Sequence, residues 1–402
     1  MTPQLSALIA AREHELRALR RRLHTHPELS WQETATTQML VERLRVAGLD
    51  PIVLNRGTGL VCDIGDTSTG SIVAVRADID ALAMADLTET QYRSRIPGVA
   101  HACGHDVHTA IVLGVGLVLR ALAEQGGAAP AIRLIFEPAE ESMPGGALDV
   151  IEEGWLDDVA MVFGLHCDPR LDIGQIGVRS GAITAASDIM EIEISGPGGH
   201  TARPHLTVDL TAVLGRVLTE LPAAVVAAAD SPEQVTVVFG AAHAGDAANV
   251  IPARASLRGS VRTADIETWD RMEKVVESEL AAILAGTGAT WRLNYRRGVP
   301  PVMNDPAASE VLRSAASAVV GPVGVVENPR SMGGDTFAWY AQRVPASYAR
   351  LGTHSGDGPR LDLHASTFDI DERAIAIGVE FLTRAVLDYR DYGLRETRSD
   401  ID

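Results

Sequence analysis

The densest concentration of reactive side chains is His101-Ala102-Cys103-Gly104-His105-Asp106-Val107-His108, immediately ahead of an apolar, helix-like stretch. A thiolate and an imidazole two residues apart, with Gly104 permitting a tight bend, can converge on one cation. The bland alternative is a loop in which Asp106 caps the helix and the histidines are solvated. A second element, Phe136-Glu137-Pro138-Ala139-Glu140-Glu141, follows the apolar run AIRLIF. Pro138 cannot continue a central ladder, so the Glu140–Glu141 pair falls in a loop beyond the strand's carboxyl end. Adjacent carboxylates there suit a division of labour, one holding metal and the other moving a proton. Asp78 and Asp80 follow another apolar run, and His166 and His364 close two further segments. Each is unremarkable alone. Together they supply the ligands for two metal ions sharing a bridge.

Other chemistries find no support. Lys274 is the sole lysine and sits in a charged helical stretch, so no P-loop exists and a pyridoxal Schiff base would need this one surface-like position. There is no G-x-S-x-G and no H-E-x-x-H, and the nearest approaches to G-x-G-x-x-G, from Gly57 and Gly114, lack the third glycine.

The elements that must position these residues read as α/β. Helices are predicted over 2–24, from a Ser30–Glu33 capping box to Ala47, and over 107–125 up to Gly126-Gly127. Buried strands are predicted at 60–64, 71–77, 131–136 and 159–165, giving a mostly parallel mixed sheet. The texture changes near residue 187, where DIMEIEIS (188–195) alternates apolar and charged residues. A β-α-β-β-α-β order follows: strands 234–239, 254–262 and 289–296 with helices 208–228 and 264–285. The expected organisation is a catalytic domain of 1–186 and 297–402, closed by a helix at 371–390. Within it lies an inserted, ferredoxin-like α+β lid or dimerisation domain at 187–296. The edge strand 188–195 would pair two copies into a homodimer.

The chain has 402 residues, 46% of them hydrophobic and 22% charged, which excludes intrinsic disorder. With Lys+Arg 35 against Asp+Glu 53 the net charge is −18, which lacks the footprint of a nucleic-acid or anionic-membrane binder. No apolar run approaches the roughly 20 residues of a membrane span, and three scattered cysteines make no disulfide framework. The expectation is a cytoplasmic globular protein. Cys62 and Cys167 read as small buried apolar residues.

HACGHDVHT, EPAEE, GLH, GPGGHTARPH, NVIP and FDIDE, in this order, resemble the M20 metallopeptidase superfamily, and most closely its amidohydrolase branch acting on N-acyl amino acids. The resemblance runs from about residue 20 to about residue 380. It implies that Cys103, His105, Glu141, His166 and His364 bind two divalent ions (Zn, Mn, Co or Ni), with Cys103 as the expected bridge. It implies Glu140 as general base and acid, Asp80 orienting the metal site, His200 polarising the substrate carbonyl, and Asn249 and Arg262 holding the substrate carboxylate. The pattern is departed from in three places: Ala83 where relatives carry proline, Asp335-Thr336 in place of Glu-Asp, and Ala365-Ser366-Thr367 after His364. These read as changes at substrate-pocket and loop positions.

The expected reaction is hydrolysis of the amide bond of an N-acyl or N-aroyl amino acid, or a dipeptide-like conjugate, by metal-activated water. Two other readings use the same residues. One is a Cys103 thiol amidase with His105 or His108 as base; the other is a non-catalytic metal or ligand-binding protein on a hydrolase scaffold.

Overall fold

The computed structural model describes residues 2–67, 72–126 and 131–399. Ser71, expected to open a strand, and Gly127, expected to end a helix, lie outside them. The chain forms two compact units: Met1–Gly181 with Met303–Pro329 and Thr336–Asp402, and Ala182–Val302 with Arg330–Asp335.

The larger unit is built on an eight-stranded mixed sheet. Its order is Ile52–Val53, Leu60–Ile64, Ile132–Glu137, Ile72–Asp78, Val159–Asp172, Ala346–His354, Ile176–Gly177, Val325–Val326. The four central strands run parallel and antiparallel pairings flank them. Ile72–Asp78 and Ile132–Glu137 are buried at every position, as near-continuous apolar runs require when helices cover both faces. The helix His105–Glu124 packs against Thr2–Thr25 and Arg373–Ser399. Leu16, Leu19, Ile111, Val379 and Leu382 share their core.

The parallel centre brings the carboxyl ends of three strands together, where α/β sheets form their crevices. One of these strands outruns its predicted end. His166 does not close a strand at 165, because Val159–Asp172 continues in register with Ala346–His354, pairing Cys167 with Leu351 and Asp168 with Gly352.

The predicted capping box is also overturned. The helix runs Thr34–Val46, and its N-cap residue, Glu33, makes no side-chain cap. Starting a turn later than predicted, it draws its cap from Glu28, whose carboxylate accepts from the N–H groups of Ala35 (3.1 Å) and Thr36 (2.7 Å). Ser30 and Glu33 are thereby free for other work.

The smaller unit contains the antiparallel sheet Val235–Ala244, Arg254–Thr263, Asp188–Ser195, Thr290–Arg296. Its order along the chain is the predicted β-α-β-β-α-β, with helices Leu210–Ala228 and Ile266–Leu284. Asp209 and Asp265 cap these helices. Met190, Ile192 and Ile194 meet Val217, Leu221, Met272, Val276 and Leu280 in one core. The strand 188–195 is not an edge: Arg254–Thr263 and Thr290–Arg296 hydrogen-bond to its two sides. Strands 235–244 and 290–296 are the edges.

Two helices, His105–Glu124 and Leu210–Ala228, are long and apolar enough to cross a membrane by length and composition, although charged residues interrupt both. The first is a core helix, buried continuously from His105 to Leu119. The second turns Leu210, Val213, Leu214, Val217, Leu221 and Val225 into the core of the smaller unit.

Candidate metal centre and active site

The His101–His108 segment folds into a turn that opens the core helix. Gly104 caps that helix at φ 89, a left-handed conformation between Cys103 and His105 that favours glycine. A Cβ on Gly104 would come within 3.0 Å of the Cys167 side chain. None of the histidines here is solvated, as His101, His105 and His108 are all buried. Asp106 does not serve primarily as a cap: its Oδ2 accepts from buried Arg20 (2.8 Å) and from His24 Nδ1 (2.8 Å).

The imidazoles of His105 and His166 are each oriented through one nitrogen. His105 Nδ1 donates to the Asp80 carbonyl (3.0 Å) and carboxylate (3.2 Å), leaving Nε2 buried and without a hydrogen-bond partner. That atom faces Glu140 at 4.0 Å and Glu141 at 3.9 Å. His166 Nδ1 donates to the Cys167 carbonyl (2.7 Å), turning Nε2 to within 3.3 Å of Cys103 Sγ. Burial holds His166 well below its ordinary pKa, so its lone pair stays available. His108 is fully used elsewhere. Its Nδ1 donates to Asp78 (2.6 Å) and its Nε2 accepts from the Cys167 N–H (2.9 Å).

The Glu140–Glu141 loop is held from three sides. Ala139 sits in the left-handed region at φ 53, and its N–H donates to Glu33 Oε1 (2.8 Å). The N–H of Glu141 donates to Asp80 Oδ2 (3.0 Å), which also accepts from Ser30 Oγ (2.7 Å). The N–H of Thr336 donates to Glu140 Oε1 (3.2 Å). Burial pushes the Asp80 pKa up, but hydrogen bonds from His105, Ser30 and Glu141 outweigh it and hold the carboxyl below its ordinary value. Asp80 thus touches both the imidazole and the loop. His364, at φ 61, is anchored by its N–H to the Ala102 carbonyl (2.8 Å) and brings Nε2 within 3.3 Å of Glu141 Oε1.

These donors fit a metal centre. Cys103, His105 and His166 offer ligand atoms mutually within 4.8 Å, and so do Cys103, Glu141 and His364. Cys103 belongs to both sets. Ligand atoms about 2.0–2.3 Å from a tetrahedral ion lie about 3.3–3.8 Å apart, which matches the closest of these separations. The buried His105 Nε2, without a hydrogen-bond partner, is the clearest sign. Burial, and then the Glu141 charge, push the Cys103 thiol well above its ordinary pKa. A neighbouring cation would be needed to form its thiolate, which counts against thiol catalysis.

His200, Asn249 and Arg262 belong to the smaller unit. The exposed strand Gly199–His200 pairs with Val250–Ile251, His200 opposite Val250, and the Thr201 N–H donates to the Asn249 carbonyl (3.3 Å), so Asn249 lies one position along from His200. His200 Nδ1 accepts from the Ala202 N–H (3.0 Å), which leaves Nε2 to carry the proton. Arg262 lies on the strand Arg254–Thr263, half-buried, and burial lowers its pKa.

The profile of peptidase family M20/M25/M40 matches residues 74–388. The chain is a member of that family. As an M20 enzyme it is a metal-dependent hydrolase. It is 35% identical over 370 residues to an N-acetyl-L-cysteine deacetylase of Bacillus subtilis, covering 92% of this chain and 87% of that one. It is 43% identical over 370 residues to a longer Rhodococcus jostii protein named, provisionally, as a glutamate–cysteine ligase. That match covers 92% of this chain but only 46% of the longer protein. Among solved structures, a Bacillus subtilis M20 peptidase described as dinuclear metal-binding superposes with TM-score 0.81 at 31% identity, covering 94% of this chain and 98% of that one.

Some residues of this M20 site escape a reading by motif. Arg76, fully buried, donates to Asp78 (2.6 Å), Glu137 (2.6 Å) and Thr336 Oγ1 (2.9 Å). Glu137 accepts further from Thr336 Oγ1 (2.6 Å) and Tyr340 (3.0 Å). The available signal was a charge inside otherwise apolar strands, in SIVAVRA and AIRLIFE. Thr336, read as a substrate-pocket or loop departure, lies in the turn before Phe337–Ala341, and that turn packs on the Glu140 loop.

Proposed function

We propose that this M20 hydrolase cleaves the amide bond of N-acyl or N-aroyl amino acids, or of dipeptide-like conjugates. Cys103, His105, Glu141, His166 and His364 would hold two divalent ions, with Cys103 shared; Zn, Mn, Co and Ni all suit this mixed donor set. Bound there, such ions would supply Lewis acidity and lower the pKa of water toward about 7. Glu140 takes the proton of the attacking water and returns it to the leaving amine. His200 Nε2–H donates to the substrate carbonyl oxygen as negative charge develops on it, a contribution typically of about 3–4 kcal/mol. Asn249 and Arg262 hold the substrate carboxylate.

One observation carries this reading. His105 and His166 are both anchored through Nδ1, so their Nε2 atoms turn toward Cys103 and Glu141 beside the buried Glu140. Metal binding alone does not need Glu140, which favours hydrolysis over a non-catalytic role. The test is amine release from N-acetyl, N-benzoyl and N-indolylacetyl amino acids and dipeptides, with Mn, Co or Zn and with EDTA. Turnover abolished by EDTA supports the reading; turnover blocked by alkylation but untouched by EDTA contradicts it.

A homodimer through the smaller unit is part of the proposal, now assigned to the edges 235–244 and 290–296. A monomeric mass by light scattering would contradict it.

A further inference from the structure

Among the described residues four arginines are buried: Arg20, Arg76, Arg133 and Arg350. Three are neutralised. Arg20 pairs with Asp106 (2.8 Å) and Asp369 (2.9 Å), Arg76 with Asp78 (2.6 Å) and Glu137 (2.6 Å), and Arg133 with Asp63 (2.7 Å) and Asp158 (2.6 Å). Arg350 is the exception. It is 6% exposed, its Nε has no hydrogen-bond partner, and no described carboxylate lies within ion-pair distance. Its guanidinium lies over the Tyr348 ring, 5.4 Å from the centroid. A buried cation left without an anion costs several kcal/mol, so a fold that retains one has a use for it.

Its position suggests that use. Arg350 pairs with the proposed metal ligand His166 across parallel strands. Residues paired in a parallel ladder leave the sheet on the same face. On its other side it pairs with Gly177. A Cβ on Gly177 would lie 2.9 Å from Asn328 Cβ and 3.3 Å from Arg350 Cβ, so the bare glycine lets these two side chains pack side by side. Asn328 is 1% exposed, and neither its Oδ1 nor its Nδ2 has a partner. Arg179 donates to the Asn328 carbonyl (3.3 Å), placing a second guanidinium beside the pair. Arg350 Nε and both polar atoms of the Asn328 carboxamide are buried without a partner, and guanidinium and amide N–H groups are suited to the two oxygens of a carboxylate.

We propose that Arg350 and Asn328 form a carboxylate-binding subsite beside His166, serving a second anionic group of the substrate. The proposal rests on the amide-hydrolase reading, in which Asn249 and Arg262 hold the first carboxylate. The second can come from the acyl group or from the amino-acid side chain. Either would receive charge-assisted hydrogen bonds from Arg350 and one from Asn328 Nδ2.

The experiment compares metal-loaded wild type with R350M on two matched pairs. N-succinylalanine against N-butyrylalanine tests the acyl source, and N-acetylglutamate against N-acetylglutamine tests the side-chain source. The expected result is a preference for the charged member of one pair that falls about tenfold or more in R350M, mainly through KM, and recovers partly in R350K. The affected pair identifies the source. Preferences unchanged in both pairs overturn the subsite. Thermal unfolding with glutarate reads binding without turnover. Glutarate raises the wild-type midpoint and not that of R350M; an equal rise in both overturns the subsite. Without ligand, R350M unfolds at or above the wild-type midpoint, because it loses an unpaired buried charge. A fall of several degrees would mark Arg350 as a structural cation and contradict the proposal. If no substrate is turned over while glutarate still discriminates, the amide-hydrolase reading fails and the anion site stands.

Discussion

The backbone N–H of Thr336 donates to Oε1 of Glu140 at 3.2 Å. The same residue's hydroxyl donates to Glu137 (2.6 Å) and accepts from Arg76 (2.9 Å). On its remaining side, a Cβ added to Gly145 would come within 2.2 Å of Thr336 Cγ2. Thr336 is thus clamped between a buried ion pair and the loop that carries the proposed base. Thr336→Val removes the hydroxyl bonds and lets the amide drift from Glu140. It should lower kcat about 10- to 100-fold, leaving KM and bound metal nearly unchanged, with Thr336→Ser restoring turnover. Steady-state kinetics alongside metal analysis checks this, and a wild-type kcat for Thr336→Val would contradict it.

Arg76 is the cation on which that clamp depends. Arg76→Met leaves Asp78 and Glu137 buried without their shared partner, and a broken buried pair of this kind costs about 3–5 kcal/mol. Urea unfolding should show the midpoint falling accordingly. A loss below about 1 kcal/mol would mean that the two carboxylates take up protons or other partners at little cost.

Asp80 holds the His105 imidazole with one oxygen and the Glu141 amide with the other. Asp80→Asn keeps the shape but loses the charge that fixes Nδ1–H of His105. Outer partners of this kind typically change metal affinity about 10- to 100-fold. Competition against a chelator should reveal that loss, and undiminished affinity would remove Asp80 from the orienting role.

Glu33 connects the fold to pH. Burial raises its pKa to about 7, and its Oε1 accepts from the Ala139 N–H. Between about pH 4.5 and 7 the folded protein holds a proton that the unfolded chain has released. Stability therefore falls as pH rises through that window and levels above it. Glu33→Gln keeps the acceptor and has no proton to lose. In chelator-treated protein, the variant should gain stability over wild type between pH 5 and pH 8. An equal difference at both values would contradict the account.

Much of this site was legible because its signals are local. Cys103-Gly104-His105 and Glu140-Glu141 carry ligand chemistry in loops punctuated by glycine and proline, and buried strands such as 60–64 announce themselves as apolar runs. Ser30 and Glu33 misled for the same reason. They fit a local capping pattern, yet their partners, Asp80 and Ala139, lie 50 and 106 residues away. Long-range pairing also explains why no local signal marks the strand Ala346–His354 and why the strand holding His166 runs on past Leu165. The role of Thr336 depends on a turn meeting a loop 196 residues distant, which no spacing within the sequence expresses.

The central claim is that Glu140 moves the proton while other residues hold the metal. It is tested most directly by purifying Glu140→Gln, counting bound divalent ions, and measuring amine release from the best N-acyl amino acid substrate. The account predicts about two ions per chain, as in wild type, with kcat reduced by about 10²–10⁴. A Glu140→Gln enzyme that keeps its metal and turns over near the wild-type rate would contradict it.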